Sequence, residues 1–205
     1  MKGLLFGGAF NPLTNAHLFL AEQALKETGS DYVLFMPSKS DYILSTEGKG
    51  YSFSDQERLQ TLLEVSKSHP WMKVSDYELS LKKQPRTYFT LKHFEERGEK
   101  LSLLIGSDWL IDMKKRWKYV DEIASQFGIV VMERNEDEAR SIVMNDESMT
   151  NLLPYFTFIK SSSVYRTISS SKVRELLLEG KENQNEIKRM VPKEVYDHLK
   201  ERYAK

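Results

Sequence analysis

The chain has 205 residues, 40% hydrophobic and 29% charged, and its 30 basic and 30 acidic side chains give a formal net charge of zero. That length suits one domain, 1–205, with a core that needs no disulfide or metal staple. The charge balance argues against a sequence-blind nucleic-acid binder, and the lack of cysteine removes disulfides, thiolate zinc sites and Cys nucleophiles.

The opening MKGLLFGGAFNP turns quickly from apolar to Gly, Asn and Pro, unlike a signal peptide. No stretch approaches the ~20 apolar residues of a membrane span. A cytoplasmic protein with no membrane partner is expected. Lys2–Phe6 reads as a short strand closed by Gly7-Gly8, and residues 14–27 as a helix with Leu18, Ala21, Ala24 and Leu25 on one face. Tyr32–Met36 is a second buried strand, stopped by Pro37. Residues 38–54 are polar and aperiodic and read as a mobile loop. Ser54 and Glu57 form a capping-box pattern that opens a helix to about Lys67.

Met72–Ser75 and Tyr77–Leu81 read as a third extended region, followed by a helix over about 87–97 that ends at Gly98. Leu101–Ile105 is the most apolar strand and runs into Gly106; Gly128–Met132 is the next. Residues 133–151 are acidic with a weak helical centre and read as a solvated insertion. Strand and helix in steady alternation predict an α/β domain with a doubly wound, Rossmann-like parallel sheet. Ligands of such sheets sit beyond the carboxyl ends of the strands.

Chemistry-bearing residues concentrate in two places. Gly7-Gly8-Ala9-Phe10-Asn11-Pro12-Leu13-Thr14-Asn15-Ala16-His17 joins a strand to a helix. Glycines there let the backbone approach a phosphate, and the helix N-terminus supplies N–H groups and a positive dipole end. Thr14 and His17, three apart, face one side of the first turn. Far along the chain, Ile168-Ser169-Ser170-Ser171-Lys172-Val173-Arg174 opens another helix. Its serines make a good N-cap, and with Arg174 one turn on they also form a second anion cradle.

Together these stretches resemble the nucleotidyltransferase superfamily with an (H/T)xGH motif near the start and ISSTxxR near the end. The likeness is strongest to nicotinate/nicotinamide-mononucleotide adenylyltransferases. Gly7–His17 is similar to the family's GGxFxPxxxxH, and Ile168–Arg174 to ISSTxxR with Ser171 for Thr. Ile105-Gly106-Ser107-Asp108, with Trp117 and Glu122-Ile123 after it, resembles the IGxDxL…W…EI block. Val191-Pro192 with Val195 resembles the closing VPxxV helix.

The resemblance implies a nucleotidyltransferase fold whose C-terminal helical part, from about 168, completes an ATP site. It implies transfer of the adenylyl group of ATP to a pyridine mononucleotide, with nicotinate mononucleotide favoured over nicotinamide mononucleotide, pyrophosphate released and Mg2+ carried in on ATP. Catalytic roles fall on His17, Thr14 and Arg174. ATP contacts fall on Gly7, Gly8, Phe10, His17, Gly106, Asp108, Ile168, Ser169, Ser170 and Arg174. Pyridine-nucleotide contacts fall on Phe10, Asn11, Lys49, Arg86, Thr87 and Trp117, with Trp117 stacked on the pyridine ring. A homo-oligomer stays open.

The sequence also departs from the family. Thr14 and Ala16 stand where bacterial members carry His and Gly, closer to the eukaryotic nicotinamide branch. The SYTxDTL block appears as Pro85-Arg86-Thr87-Tyr88-Phe89-Thr90-Leu91, with Arg86 for Tyr and Phe89 for Asp, which bears on substrate choice. Of the PPHK loop only Lys49 has a counterpart. The alternatives are an adenylyl- or cytidylyltransferase acting on another phosphate, such as phosphopantetheine, and a non-catalytic nucleotide-binding module.

Overall fold

The computed structural model describes residues 1–47, 53–111, 113–133, 139–161, 167–180 and 183–203. Its strands are β1 (Lys2–Gly8), β2 (Tyr32–Pro37), β3 (Met72–Val74), β4 (Lys100–Gly106), β5 (Ile129–Glu133) and β6 (Phe156–Lys160). Between and after them lie helices α1 (Asn15–Thr28), α2 (Ser40–Glu47), α3 (Asp55–Ser66), α4 (Tyr77–Ser80), α5 (Thr87–Glu95), α6 (Met113–Arg116), α7 (Val120–Phe127) and α8 (Ala139–Asn145). The chain closes with α9 (Ser170–Glu179), α10 (Gln184–Met190) and α11 (Lys193–Tyr203).

The sheet is parallel and six-stranded, in the order β3-β2-β1-β4-β5-β6. β2 and β5 are buried along their whole length, because helices cover both faces and continuous apolar runs are what such strands require. The strand order reverses between β1 and β4, which pair from Lys2↔Lys100 to Phe6↔Leu104. The carboxyl ends of these two strands carry Gly7-Gly8 and Gly106. That reversal is where open α/β sheets hold their ligands.

By its packing the chain divides into two compact units interleaved in sequence. Met1–Gly7, Leu20–Leu34 and Pro85–Ser163 make one; Gly8–Phe19, Phe35–Gln84 and Val164–Lys205 make the other. In the first, a Cβ at Gly3 would stand 2.6 Å from Tyr32 Cζ and 2.8 Å from Leu101 Cδ2. The Tyr32 ring cannot swing aside, since its hydroxyl donates to Glu99. Burial, then the Glu99 hydrogen bond and charge, push that phenol far above the ordinary tyrosine range. Gly3→Ala is therefore expected to lower stability by about 1–3 kcal/mol, the usual cost of overpacking, which urea titration would measure.

Three sequence expectations need correction, and one strand was not anticipated. Of the mobile loop expected over 38–54, residues 40–47 instead form α2, and residues 48–52 lie outside the described residues. Ile43 of that helix is fully buried. Its N-terminus is held by Asp55, whose Oδ1 accepts from Ser40 N at 2.7 Å and Ser40 Oγ at 2.6 Å. The cap comes from another helix, so no local signal announces it. Tyr77–Ser80 is a helical turn, not an extension of β3.

The described part of the acidic segment, 133 and 139–151, is not simply solvated, since Ala139 and Val143 of α8 and then Met149 are buried, while residues 134–138 lie outside the described residues. Finally, β6 escaped notice because it lies at the sheet edge and buries only Phe156 and Ile159 of its five residues. The capping box at Ser54 is as expected, with Glu57 N donating to Ser54 Oγ and Ser54 N donating to Glu57 Oε2. So is the helix stop at Gly98, whose φ of +81° is the left-handed conformation glycine adopts freely.

Candidate active site

The connection from β1 to α1 lies mostly in the second unit and is tied down by its carbonyl groups. Gly8 O accepts from Ser38 N at 2.9 Å, and Ala9 O from Arg58 Nη1 at 2.7 Å. Asn11 O accepts from Arg174 Nη1 at 2.8 Å, and Pro12 O from Ser170 Oγ at 2.9 Å. The Asn11 side chain is fully buried, and its Oδ1 accepts from Phe53 N at 2.9 Å. The Asn11–Pro12 peptide is cis. Phe10 has a φ of +42°, a conformation that costs a residue with a side chain about 1–2 kcal/mol.

His17 sits in the first turn of α1. Thr14 N donates to His17 Nδ1 at 3.1 Å, and Thr14 Oγ1 lies 2.7 Å from the same nitrogen. A backbone N–H can only donate, so Nδ1 is the acceptor and the neutral ring carries its proton on Nε2. The Phe10 ring meets the imidazole edge-on at 5.4 Å. Thr14 itself is fully buried, so its hydroxyl orients the imidazole from behind.

The second cradle reaches the same loop. Ser169 caps α9 by accepting from Lys172 N at 3.1 Å, and Ser170 and Arg174 bond the Pro12 and Asn11 carbonyls. Arg174 is 9% exposed, and its Nη2 donates to Ser171 Oγ at 3.0 Å. Asn15 Nδ2 adds a third tie, to Arg189 O at 3.0 Å. The N-termini of α1 and α9 are thus brought to one loop, and neither helix has an acidic residue in its first turn. α3, by contrast, opens with Asp55 and Glu57. Two uncompensated helix N-termini beside a histidine and an arginine form a setting for an anion.

The remaining expected residues divide by unit. Gly8, Phe10, Asn11, Thr14, His17, Ile168, Ser169, Ser170 and Arg174 all belong to the second. Gly7, Arg86, Thr87, Gly106, Asp108 and Trp117 belong to the first. Gly7 has open space where a Cβ would stand, whereas a Cβ on Gly8 would meet the Phe10 ring at 3.3 Å. Phe10 is only 2% exposed, so its ring packs inside the protein.

In the first unit, Arg86 is an exposed residue immediately before α5, and Thr87 is the helix's first residue. Gly106 opens a single 3-10 turn, Ser107–Trp109, in which Asp108 is exposed. The Trp117 ring stands edge-on to Trp109 at 5.4 Å, and the Arg116 guanidinium lies over Trp109. Lys49 lies outside the described residues.

Sequence reasoning passed over Arg58 and Asp55. Arg58 is 1% exposed and forms an ion pair with Asp55 at 2.6 Å. Burial tends to raise the Asp55 carboxyl, but the Ser40 hydrogen bonds and then Arg58 outweigh it and hold it below its usual range. The only local hint was an acid three residues before an arginine on the inward face of a capped helix.

Comparisons with known proteins show the family and the fold. The profile of the cytidylyltransferase-like family matches residues 5–176. A probable nicotinate-nucleotide adenylyltransferase of Clostridium acetobutylicum is 29% identical over 97% of this chain and 96% of its own. Its counterpart in Clostridium botulinum strain Okra is 30% identical over 87% of this chain and 88% of its own. The solved nicotinic acid mononucleotide adenylyltransferase of Plasmodium falciparum, complexed with NaAD, superimposes with a TM-score of 0.74. It covers 98% of this chain and 95% of that one at 20% identity, a likeness of fold. The chain belongs to the cytidylyltransferase-like family and, within it, to the nicotinate-nucleotide adenylyltransferases.

Proposed function

We propose that this protein joins nicotinate mononucleotide to the adenylyl group of ATP, forming the dinucleotide and pyrophosphate for NAD biosynthesis. A 5′-phosphate oxygen of the mononucleotide attacks the α-phosphorus of ATP. The bond from that phosphorus to the bridging oxygen breaks, and pyrophosphate leaves with the electron pair. The nucleophile is already ionised, so the protein's task is in-line positioning and charge neutralisation. The observation that carries the reading is the set tautomer of His17. With Nδ1 accepting from Thr14 N, Nε2 carries the ring proton, in the first turn of α1.

Arg174, Ser169 and Ser170 support the loop and the α9 terminus that complete the phosphate site. Gly106 and Asp108 serve the nucleotide, and Trp117 the pyridine ring. Mg2+ would arrive with ATP, and its charge would offset that of the phosphate oxygens it binds. Among the described residues no three His, Asp or Glu side chains gather as a metal cage.

A pyrophosphate-release assay with ATP and, in turn, nicotinate mononucleotide, nicotinamide mononucleotide and phosphopantetheine tests the reading. Turnover is expected with nicotinate mononucleotide, and its absence with both pyridine nucleotides would overturn the proposal.

Arg86 is the residue to which we assign the choice of nicotinate. A guanidinium matches a carboxylate in a two-pronged hydrogen bond, and nicotinamide offers no such charge. Arg86→Ala is expected to lower kcat/KM for nicotinate mononucleotide by about 10-fold or more, the worth of one charged hydrogen bond. Activity with the amide should change little. An unchanged ratio between the two substrates removes Arg86 from recognition.

A further inference from the structure

Arg58 is the largest side chain in the described structure that is fully buried, and its chemistry is directed at the loop that carries the histidine. Nη1 donates to Ala9 O at 2.7 Å. Nη2 donates to Ser38 O, to Asp55 Oδ1 at 2.6 Å and to Ser40 Oγ at 3.4 Å. Asp55 in turn accepts from the backbone and side chain of Ser40. One guanidinium therefore joins the turn after β1, the turn after β2 and the start of α3.

Stability alone is a weak reason for such an arrangement. Replacing a buried ion pair by apolar side chains of similar size is often neutral or stabilising. The local geometry offers a better reason. In a planar peptide the carbonyl and the following N–H point in opposite directions. Holding Ala9 O on Arg58 therefore turns the Phe10 N–H to the opposite side of the loop. The next residue is Phe10, in its left-handed conformation, and its ring lies edge-on against His17.

Behind the loop, Phe10, Pro12 and Arg58 line a cavity of only about 10 Å³ together with Phe53, Val195 and Leu199, so packing closes the back of the loop while the Arg58 hydrogen bonds set the direction of its peptides.

We propose that Arg58, supported by Asp55, is a positioning residue for adenylyl transfer. It fixes the Ala9–Phe10 peptide and, through the Phe10 ring, the orientation of His17 before nucleotides arrive. Arg58 contacts no reacting atom in this scheme. The proposal rests on the adenylyltransferase reading for its kinetic consequence, but not for its structural one.

The test uses the full-length protein and two variants, Arg58→Lys and Asp55→Asn. Lysine keeps the charge and loses the fork that bridges Ala9 O and Asp55. Asparagine keeps an acceptor for Ser40 and loses the charge. For Arg58→Lys we expect kcat to fall by about 10- to 100-fold, the scale on which sub-ångström to ångström misplacement acts. KM for ATP should stay within about threefold by the same argument, because uniform binding is untouched. Asp55→Asn should show a smaller loss in kcat with the same pattern.

Long-range ¹H–¹⁵N spectra of the imidazoles give a readout free of turnover. The chain has four histidines, so His17→Gln assigns the relevant signal. We expect wild-type His17 to show protonated Nε2 and acceptor Nδ1, and both nitrogen shifts to move in Arg58→Lys. Unmoved His17 shifts in both folded variants would refute the positioning role whatever the activity. A kcat unchanged in both would refute it too, as would losses that track only the unfolded fraction seen in thermal melts. Absence of turnover in the wild type would instead count against the adenylyltransferase reading. The spectra would still decide the role of Arg58.

Discussion

His17→Ala is expected to reduce kcat by about 10²- to 10³-fold, the usual effect of removing one donor aimed at developing negative charge. The expectation follows from the ring's surroundings. Its Nδ1 side is closed by Thr14 N and Thr14 Oγ1, and its face is steadied by Phe10. Nε2–H is thus a donor whose direction is set in advance, and little of its effect is lost to reorganisation.

Fold stability should change little, because His17 is half-buried and leaves no large void. Single-turnover kinetics at saturating ATP separate the chemical step from binding. A loss below about 10-fold in that step would mean that His17 is not the donor the reaction depends on.

Arg174→Lys is expected to reduce both activity and stability. Arg174 joins α9 to the loop through Asn11 O, and it is braced on its own helix by Ser171 Oγ. Lysine has one nitrogen and cannot hold both partners in that planar arrangement. The Asn11 carbonyl, on a residue with no exposed surface, then loses a charged donor. Such a loss is worth about 1.5–3 kcal/mol, which for a chain of this size lowers Tm by about 3–12 °C.

Activity should fall more than stability alone requires, since the α9 N-terminus loses its register against the loop. Thermal melts and kcat/KM measured on the same preparation test this. A Tm drop with full activity at low temperature would make Arg174 a purely structural brace.

These two residues show how legible the site was. Local sequence marks a strand ending in glycines, then a turn, then a helix with Thr14 and His17 on one face. The dipole argument needs nothing more. The partners of each group are a different matter. Thr14 looked like a phosphate donor by spacing, yet it is buried and bonds the imidazole, because the loop turns it inward. Phe10 and Asn11 looked like substrate contacts, yet their side chains pack and brace the loop.

The same division runs through the fold. β2, β4 and β5 were readable because a strand covered on both faces must be apolar throughout, and that signal is local. α2 was not, because its N-terminus is capped by Asp55 from another helix. β6 was not, because an edge strand buries only part of itself.

By itself the sequence determined the alternation of strands and helices, the parallel sheet and the two glycine- and serine-rich segments that open α1 and α9, since periodicity, glycines and caps act over a few residues. Only the tertiary structure decided which carbonyl each arginine holds, which nitrogen of His17 carries the proton and why Phe10 is held at positive φ. Those depend on groups such as Arg58 and Arg174, brought to Ala9 and Asn11 from distant parts of the chain. Hydrogen-bond partners across such separations are selected by packing, and no local pattern records them.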